Sequence, residues 1–77
     1  SIELTPQNMV LIRGEIDYGS VGEASRKLVD LHIQRGDKDY PIYLVLDSPG
    51  GSIMAGEDFI SFASAIPNLH TVTIFAA

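Results

Sequence analysis

Three short apolar runs, separated by longer mixed stretches, dominate the hydrophobic pattern of this chain. They lie at residues 9–13, 42–46 and 71–75, and each is rich in the aliphatic and β-branched residues that favour strands. The middle run is continuously apolar, which is typical of a strand buried on both faces of a parallel sheet. A shorter run at residues 2–5, closed by Pro6, is a candidate for an extra strand.

The stretch between the first two runs has the pattern of an amphipathic helix, which we place at residues 20–35. Its apolar stripe recurs at helical spacing and consists of Val21, Ala24, Leu28 and Leu31. Ser20 is predicted as the N-cap, and Glu23 three residues later would complete a capping box. Gly36 is predicted to end the helix.

A second helix is predicted to begin at Ser52 or Ile53 and to end before Pro67. Its apolar residues cover most of the circumference, and its charges are confined to Glu57 and Asp58. A helix that is apolar all round is deeply buried or packed at an interface. Within it, Phe59, Phe62 and Ile66 are expected to be core residues, with an oligomer contact as the alternative.

The predicted order is therefore β-α-β-α-β, which indicates an α/β fold with a parallel sheet and right-handed crossovers. The carboxyl ends of the strands then share one edge, where open α/β sheets place their sites. Residues 14–17 and 47–52 both lie on that edge. No second domain is visible, and we expect residues 1–77 to form a single, incomplete domain.

Composition removes several classes of function. The 77 residues contain ten acidic and five basic side chains, a net charge of −5, and no basic patch, which argues against a nucleic-acid partner or an anionic membrane surface. No apolar run is long enough to span a bilayer, and no secretory signal pattern is present. The lack of cysteine excludes disulfides and thiolate chemistry. We expect a cytoplasmic protein.

The glycine pair after the middle strand carries the clearest chemical signal. Asp47-Ser48-Pro49-Gly50-Gly51-Ser52 reads as a strand breaking into a tight turn and then entering a helix. An ordinary turn explains it, because proline fixes φ and glycine permits positive φ. Phosphate binding is disfavoured, since neither a P-loop nor a dinucleotide fingerprint is present. The third interpretation is an oxyanion hole, in which backbone N–H groups face a developing negative charge.

The stretch from Tyr40 to Gly56, reading YPIYLVLDSPGGSIMAG, resembles the signature of the proteolytic subunit of the Clp protease. Residues 10–17 (VLIRGEID) and 66–77 (IPNLHTVTIFAA) agree with it in order and approximate spacing. The resemblance implies a crotonase-like fold and a serine endopeptidase that hydrolyses peptide bonds of unfolded protein. One departure is Asp47, because the family usually has Asn before Ser-Pro-Gly-Gly.

The resemblance implies roles for four residues of the turn. Gly51, with Gly50, would form part of the oxyanion hole, and the backbone of Ser52 and Ile53 would lie beside an extended substrate. The family's nucleophilic serine follows an Ala-Ala pair like Ala76-Ala77, and its histidine and aspartate come later. No catalytic triad residue is therefore assigned within these 77 residues, and we expect the chain to be inactive alone.

The same resemblance implies partners but no cofactor and no metal. We expect unfolded protein or peptide as substrate, a homo-oligomeric ring, and an ATP-dependent unfoldase, in a bacterial or phage-encoded system. Two alternatives stay open. One is a crotonase-type acyl-CoA hydratase or isomerase, and the other is a non-catalytic module for peptide binding or assembly.

Other polar residues receive ordinary structural interpretations. His32 is expected to be solvated or partly buried on the first helix, and His70 to precede the third strand at the wrong edge of the sheet. Asp17 and Asp47 could form a carboxylate pair at the site edge, but without a third ligand type a solvated loop is favoured. Ser48, like Ser52, is expected to serve the turn and the helix start, because no base is in reach.

Overall fold

The computed structural model describes residues 3–74 and shows three parallel strands and two helices. In chain order these elements are β1 (Met9–Arg13), α1 (Tyr18–Arg35), β2 (Ile42–Asp47), α2 (Ile53–Ala63) and β3 (Leu69–Thr73). The sheet order is β1-β2-β3, and both strand pairs are parallel. The predicted β-α-β-α-β architecture is confirmed, and it is consistent with part of a Clp- or crotonase-like fold.

Buried residues of both helices belong to one core cluster, so both helices pack on one face of the sheet. Crossovers of the usual right hand between sequential strands lead to this arrangement. The core joins buried side chains of β1 and β2 to the apolar stripes of the helices. At its centre Leu28 of α1 and Ile42 of β2 are fully buried. Leu44 and Val45, which point to opposite faces of β2, are each only 4% exposed. The prediction of a strand buried on both faces is therefore confirmed for these two residues.

The start of α1 differs from the prediction. The helix begins at Tyr18, and its N-cap is Asp17, whose carboxylate accepts the Ser20 N–H at 2.7 Å. The Ser20 hydroxyl in turn accepts the Asp17 N–H at 3.0 Å, so Ser20 is the third helical residue of the capping box rather than its cap. Glu23 has no part in the cap. The predicted end at residue 35, followed by Gly36, is confirmed.

Helix α2 begins where predicted, with Ser52 as its N-cap, but it ends at Ala63. The following residues form tighter turns, since Ala65 N–H donates to Phe62 and Ile66 N–H to Ala63. Pro67 disfavours the helical conformation of the preceding Ile66, so the helix has to end before that residue. Phe59 is buried as expected. The core assignment is wrong for Phe62, which is 40% exposed, and Ile66 is half-buried.

Strand β3 begins two residues earlier than predicted, because Leu69 pairs with Ile42 and draws His70 into the ladder. Its predicted end at Phe75 lies outside the described residues, although the Ile74 N–H still donates to the Leu46 carbonyl. The candidate extra strand at residues 2–5 is absent over residues 3–5. There the chain forms a turn in which the Asn8 side chain accepts the Thr5 N–H at 2.7 Å.

A buried arginine ties the amino edge of the sheet together. Arg35 is 3% exposed, and its guanidinium donates to the carbonyls of Tyr40 at 3.0 Å and Pro67 at 2.7 Å. It also donates to His32 Nδ1 at 3.0 Å, and His32 is half-buried, as expected. These bonds join the end of α1 to the segments that enter β2 and β3.

Candidate functional site

The glycine turn lies at the carboxyl edge of the sheet, between β2 and α2. Gly50 and Gly51 have φ values of +126° and +146°, which side-chain-bearing residues rarely adopt. The Ser48 hydroxyl accepts the Gly50 N–H at 3.1 Å and donates to the Gly50 carbonyl at 3.0 Å. Ser48 therefore shapes the turn, as predicted.

The loop that follows β1 holds the turn from one side. The Ile16 N–H donates to the Gly50 carbonyl at 2.9 Å, and the Ser52 N–H donates to the Ile16 carbonyl at 2.7 Å. Ile16 and Gly51 thereby form an isolated parallel bridge. A Cβ on Gly51 would meet the Ile16 backbone, with its nitrogen at 2.7 Å and its carbonyl oxygen closer still. Only glycine fits at position 51.

Among the described residues, this pairing leaves the Gly51 N–H without a hydrogen-bond partner. Gly50 and Ser52, the two neighbours of Gly51, form the hydrogen bonds to Ile16. In a parallel ladder the residue between two such neighbours directs its own N–H and C=O away from the facing strand. Gly51 is exposed, and within residues 3–74 its N–H has no hydrogen-bond acceptor. A fixed backbone N–H without an acceptor is the group that oxyanion stabilisation requires.

The positive end of a helix adjoins this amide. Helix α2 begins at Ile53, and the Ser52 hydroxyl accepts the Ala55 N–H at 3.1 Å. No acidic residue lies in its first turn, so the partial positive charge of the helix N-terminus is not offset there. The Ser52 N–H is occupied by Ile16 and its carbonyl accepts the Gly56 N–H. The substrate-binding roles of Ser52 and Ile53 stay predictions.

Asp47, which stands where the resembling sequences usually have Asn, forms an ion pair with Arg13. Asp47 Oδ2 accepts a hydrogen bond from Arg13 Nε at 3.2 Å. The Arg13 side chain is 74% exposed and the Asp47 side chain is 35% exposed. The Asp47 carbonyl also accepts the Gly14 N–H at 3.0 Å. The carboxylate is thus directed to Arg13, next to it on the sheet.

The other polar candidates serve local structure. Asp17 caps α1 and Asp47 bonds Arg13, so the two carboxylates have separate partners. His70 Nε2 bonds the Asn68 side chain at 2.8 Å, and its ring lies 5.8 Å from that of Tyr43. Within residues 3–74 neither histidine bonds a serine, and no cluster of His, Asp and Glu could hold a metal ion.

Two contributors to the site were missed from the sequence. Ile16 was placed at the correct edge, but its bridge to Gly51 depends on pairing across 35 positions, which no local pattern reveals. Asp17 is expected from the sequence to lie in a solvated loop, although Asp17-x-x-Ser20 is itself a recognisable capping pattern. The described part of the chain contains no helix that is long and apolar enough to cross a membrane.

Comparison with known families identifies the class of protein to which this fold and turn belong. The family model described as Clp protease matches residues 2–74, which is nearly the whole chain. The chain therefore belongs to the Clp protease family, a family of peptidases. Its members act on protein substrates and generally form oligomeric assemblies. No curated protein matches the chain.

Proposed function

We propose that this chain supplies the oxyanion-stabilising turn of a Clp-like serine endopeptidase. The complete enzyme would hydrolyse peptide bonds of unfolded protein through a Ser-His-Asp triad, and residues 1–77 would form the amino-terminal part of its peptidase domain. The observation that carries the proposal is the N–H of the exposed residue Gly51, which has no acceptor in the described residues and is fixed by Ile16 at the start of α2.

The proposed chemistry places the Gly51 N–H on the carbonyl oxygen of the scissile peptide. When the serine oxygen adds to the carbonyl carbon, that oxygen becomes negatively charged and the N–H bond to it strengthens. The nearby N-terminus of α2 adds favourable potential. Collapse of the intermediate breaks the C–N bond, the amine leaves with a proton from the histidine, and water then hydrolyses the acyl-enzyme. The nucleophile, base and orienting acid are not assigned within these 77 residues.

The partners of the proposed enzyme follow from the family and from one surface. Helix α2 exposes large apolar side chains, with Ile53 at 76%, Met54 at 70% and Ile60 at 68% exposure. Exposed apolar area of this kind is typical of protein–protein contacts. It supports the proposal of a homo-oligomeric ring, served by an ATP-dependent unfoldase, and native mass spectrometry would test the ring. The proposed location is the cytoplasm, in a bacterial or phage-encoded system.

The test of the proposed function is peptide hydrolysis by the protein as its gene encodes it. We expect cleavage of a fluorogenic peptide, and we expect a fluorophosphonate to abolish cleavage and add its mass to one serine. Hydrolysis that survives the fluorophosphonate, or the absence of both hydrolysis and adduct, would contradict a serine peptidase.

A further inference from the structure

We propose that Ile16 is the positioning residue of the oxyanion turn, and that its backbone sets the direction of the Gly51 N–H. The catalytic consequence of this inference rests on the proposed function. The structural part rests on contacts alone and is tested separately.

Two hydrogen bonds from one residue hold the turn on both sides of Gly51. The Ile16 N–H is bonded to the carbonyl of Gly50, and the Ile16 carbonyl accepts the N–H of Ser52. Both peptide planes that flank Gly51 are therefore anchored to a single neighbour, at donor–acceptor distances of 2.9 and 2.7 Å. Rotation of the Gly51 N–H away from its present direction would break at least one of these bonds.

Close packing against Ile16 also prevents the turn from moving toward β1. A Cβ built on Gly51 meets Ile16 backbone atoms well inside contact distance, so the two backbones touch with no side chain between them. At Gly50, by contrast, an added Cβ has no atom within 4 Å. The Ile16 backbone thus blocks movement of the turn toward β1, and it does so at position 51 specifically.

Ile16 is itself held in place. Its half-buried side chain packs against the core and lines an apolar cavity of about 240 Å³ together with Leu46, Gly56 and Phe59. On its carboxyl side, Asp17 is fixed as the N-cap of α1. On its amino side, the Gly14 N–H donates to the Asp47 carbonyl at 3.0 Å. Ile16 is therefore held in place by contacts to the sheet and to both helices.

The expected consequence is kinetic. Oxyanion donors stabilise charge because they are oriented before the reaction, and a misplacement of about 1 Å can cost roughly 100-fold in rate. Removal of one Ile16 hydrogen bond should therefore lower kcat by about 10- to 100-fold. KM should change little, because the interaction strengthens only in the transition state.

The experiment replaces the Ile16 amide by an ester in the full-length protein, using the α-hydroxy acid with the isoleucine side chain. This change deletes the N–H that bonds Gly50 and keeps the side chain. The matched control is the same hydroxy acid at Ile42, whose N–H bonds the Asn68 carbonyl at 3.0 Å at the opposite edge of the sheet. The measurements are the ¹H–¹⁵N resonance of Gly51, kcat and KM for a peptide substrate, and the midpoint of unfolding.

We expect the Ile16 ester to shift the Gly51 resonance and to lower kcat. We expect the Ile42 ester to lower stability and to leave the Gly51 resonance and kcat unchanged. A Gly51 resonance that is unchanged by the Ile16 ester overturns the inference, whatever the activity. Equal losses of kcat in the two esters also overturn it, because they indicate a general effect of stability. Absence of hydrolysis in the unmodified protein overturns the proposed function, while the Gly51 resonance still decides the structural part.

Discussion

Replacement of Gly51 by alanine is expected to destabilise the protein much more than replacement of its neighbour Gly50. Both residues have positive φ, and forcing alanine into such a conformation costs about 1–3 kcal/mol. At Gly50 that strain is the whole cost, since no atom lies within 4 Å of the added Cβ. At Gly51 the Cβ also displaces Ile16 and breaks its two hydrogen bonds, each worth about 1 kcal/mol.

The two variants should therefore differ by about 2 kcal/mol, with a total near 3–5 kcal/mol for Gly51→Ala. Native proteins have a stability of roughly 5–15 kcal/mol, so the Gly51 variant is expected to lose a large part of it. Urea denaturation followed by circular dichroism measures the difference. With a slope of about 1–3 kcal/mol per molar, the midpoints should lie about 0.7–2 M apart.

Gly14→Ala provides a second control, because Gly14 also has positive φ and open space around its Cβ position, and it should behave like Gly50→Ala. Equal midpoints for the Gly50 and Gly51 variants would refute the argument. They would mean that the turn can move away from Ile16 at no cost, and that its amide is not held as described.

Three further predictions test the elements that support the site. Gly22→Ala, in the interior of α1 with open space at its Cβ position, should raise stability by about 1 kcal/mol in thermal denaturation, and a loss would contradict the helix assignment. Asp17→Ala should lower stability by about 0.5–2 kcal/mol through loss of the N-cap, whereas Glu23→Ala should have little effect. A larger loss of stability in Glu23→Ala than in Asp17→Ala would indicate that Ser20 is the N-cap. Arg35→Lys should lower stability by about 1–3 kcal/mol, because one ammonium cannot reproduce the forked hydrogen bonds to Tyr40 and Pro67. An unchanged midpoint of unfolding would show that those hydrogen bonds are dispensable.

The sequence was sufficient for the architecture because each element carries its own local signal. The continuous apolar run of β2 and the glycine stop after α1 identify their elements without knowledge of the fold. The glycine pair likewise marks the strand-to-helix turn, since few other residues tolerate its φ values.

What could not be predicted depends on contacts between distant segments or on competition between similar signals. Asp17 and Ser20 are both good caps, and the choice between them follows from their reciprocal hydrogen bonds. The start of β3 is set by pairing of Leu69 with Ile42, not by its own pattern. The anchoring of Gly51 by Ile16 is the clearest case, because nothing in either segment alone indicates the bridge.

The central claim is that the Gly51 N–H stabilises the oxyanion of peptide hydrolysis. The most direct test replaces Gly51 by glycolic acid, which removes that N–H without adding a Cβ, and compares kcat with that of the same change at Gly50, whose N–H bonds Ser48. The ester at position 51 also weakens the Gly50 carbonyl, which accepts both the Ile16 N–H and the Ser48 hydroxyl. The Ile16 ester serves as the reference for loss of the Ile16 bond, and it also weakens the Glu15 carbonyl, which accepts the Ser20 hydroxyl. We expect a kcat about 10²- to 10³-fold lower for position 51 than for position 50, beyond the loss in the Ile16 ester. Equal kcat values for the two glycolic acid proteins would contradict it.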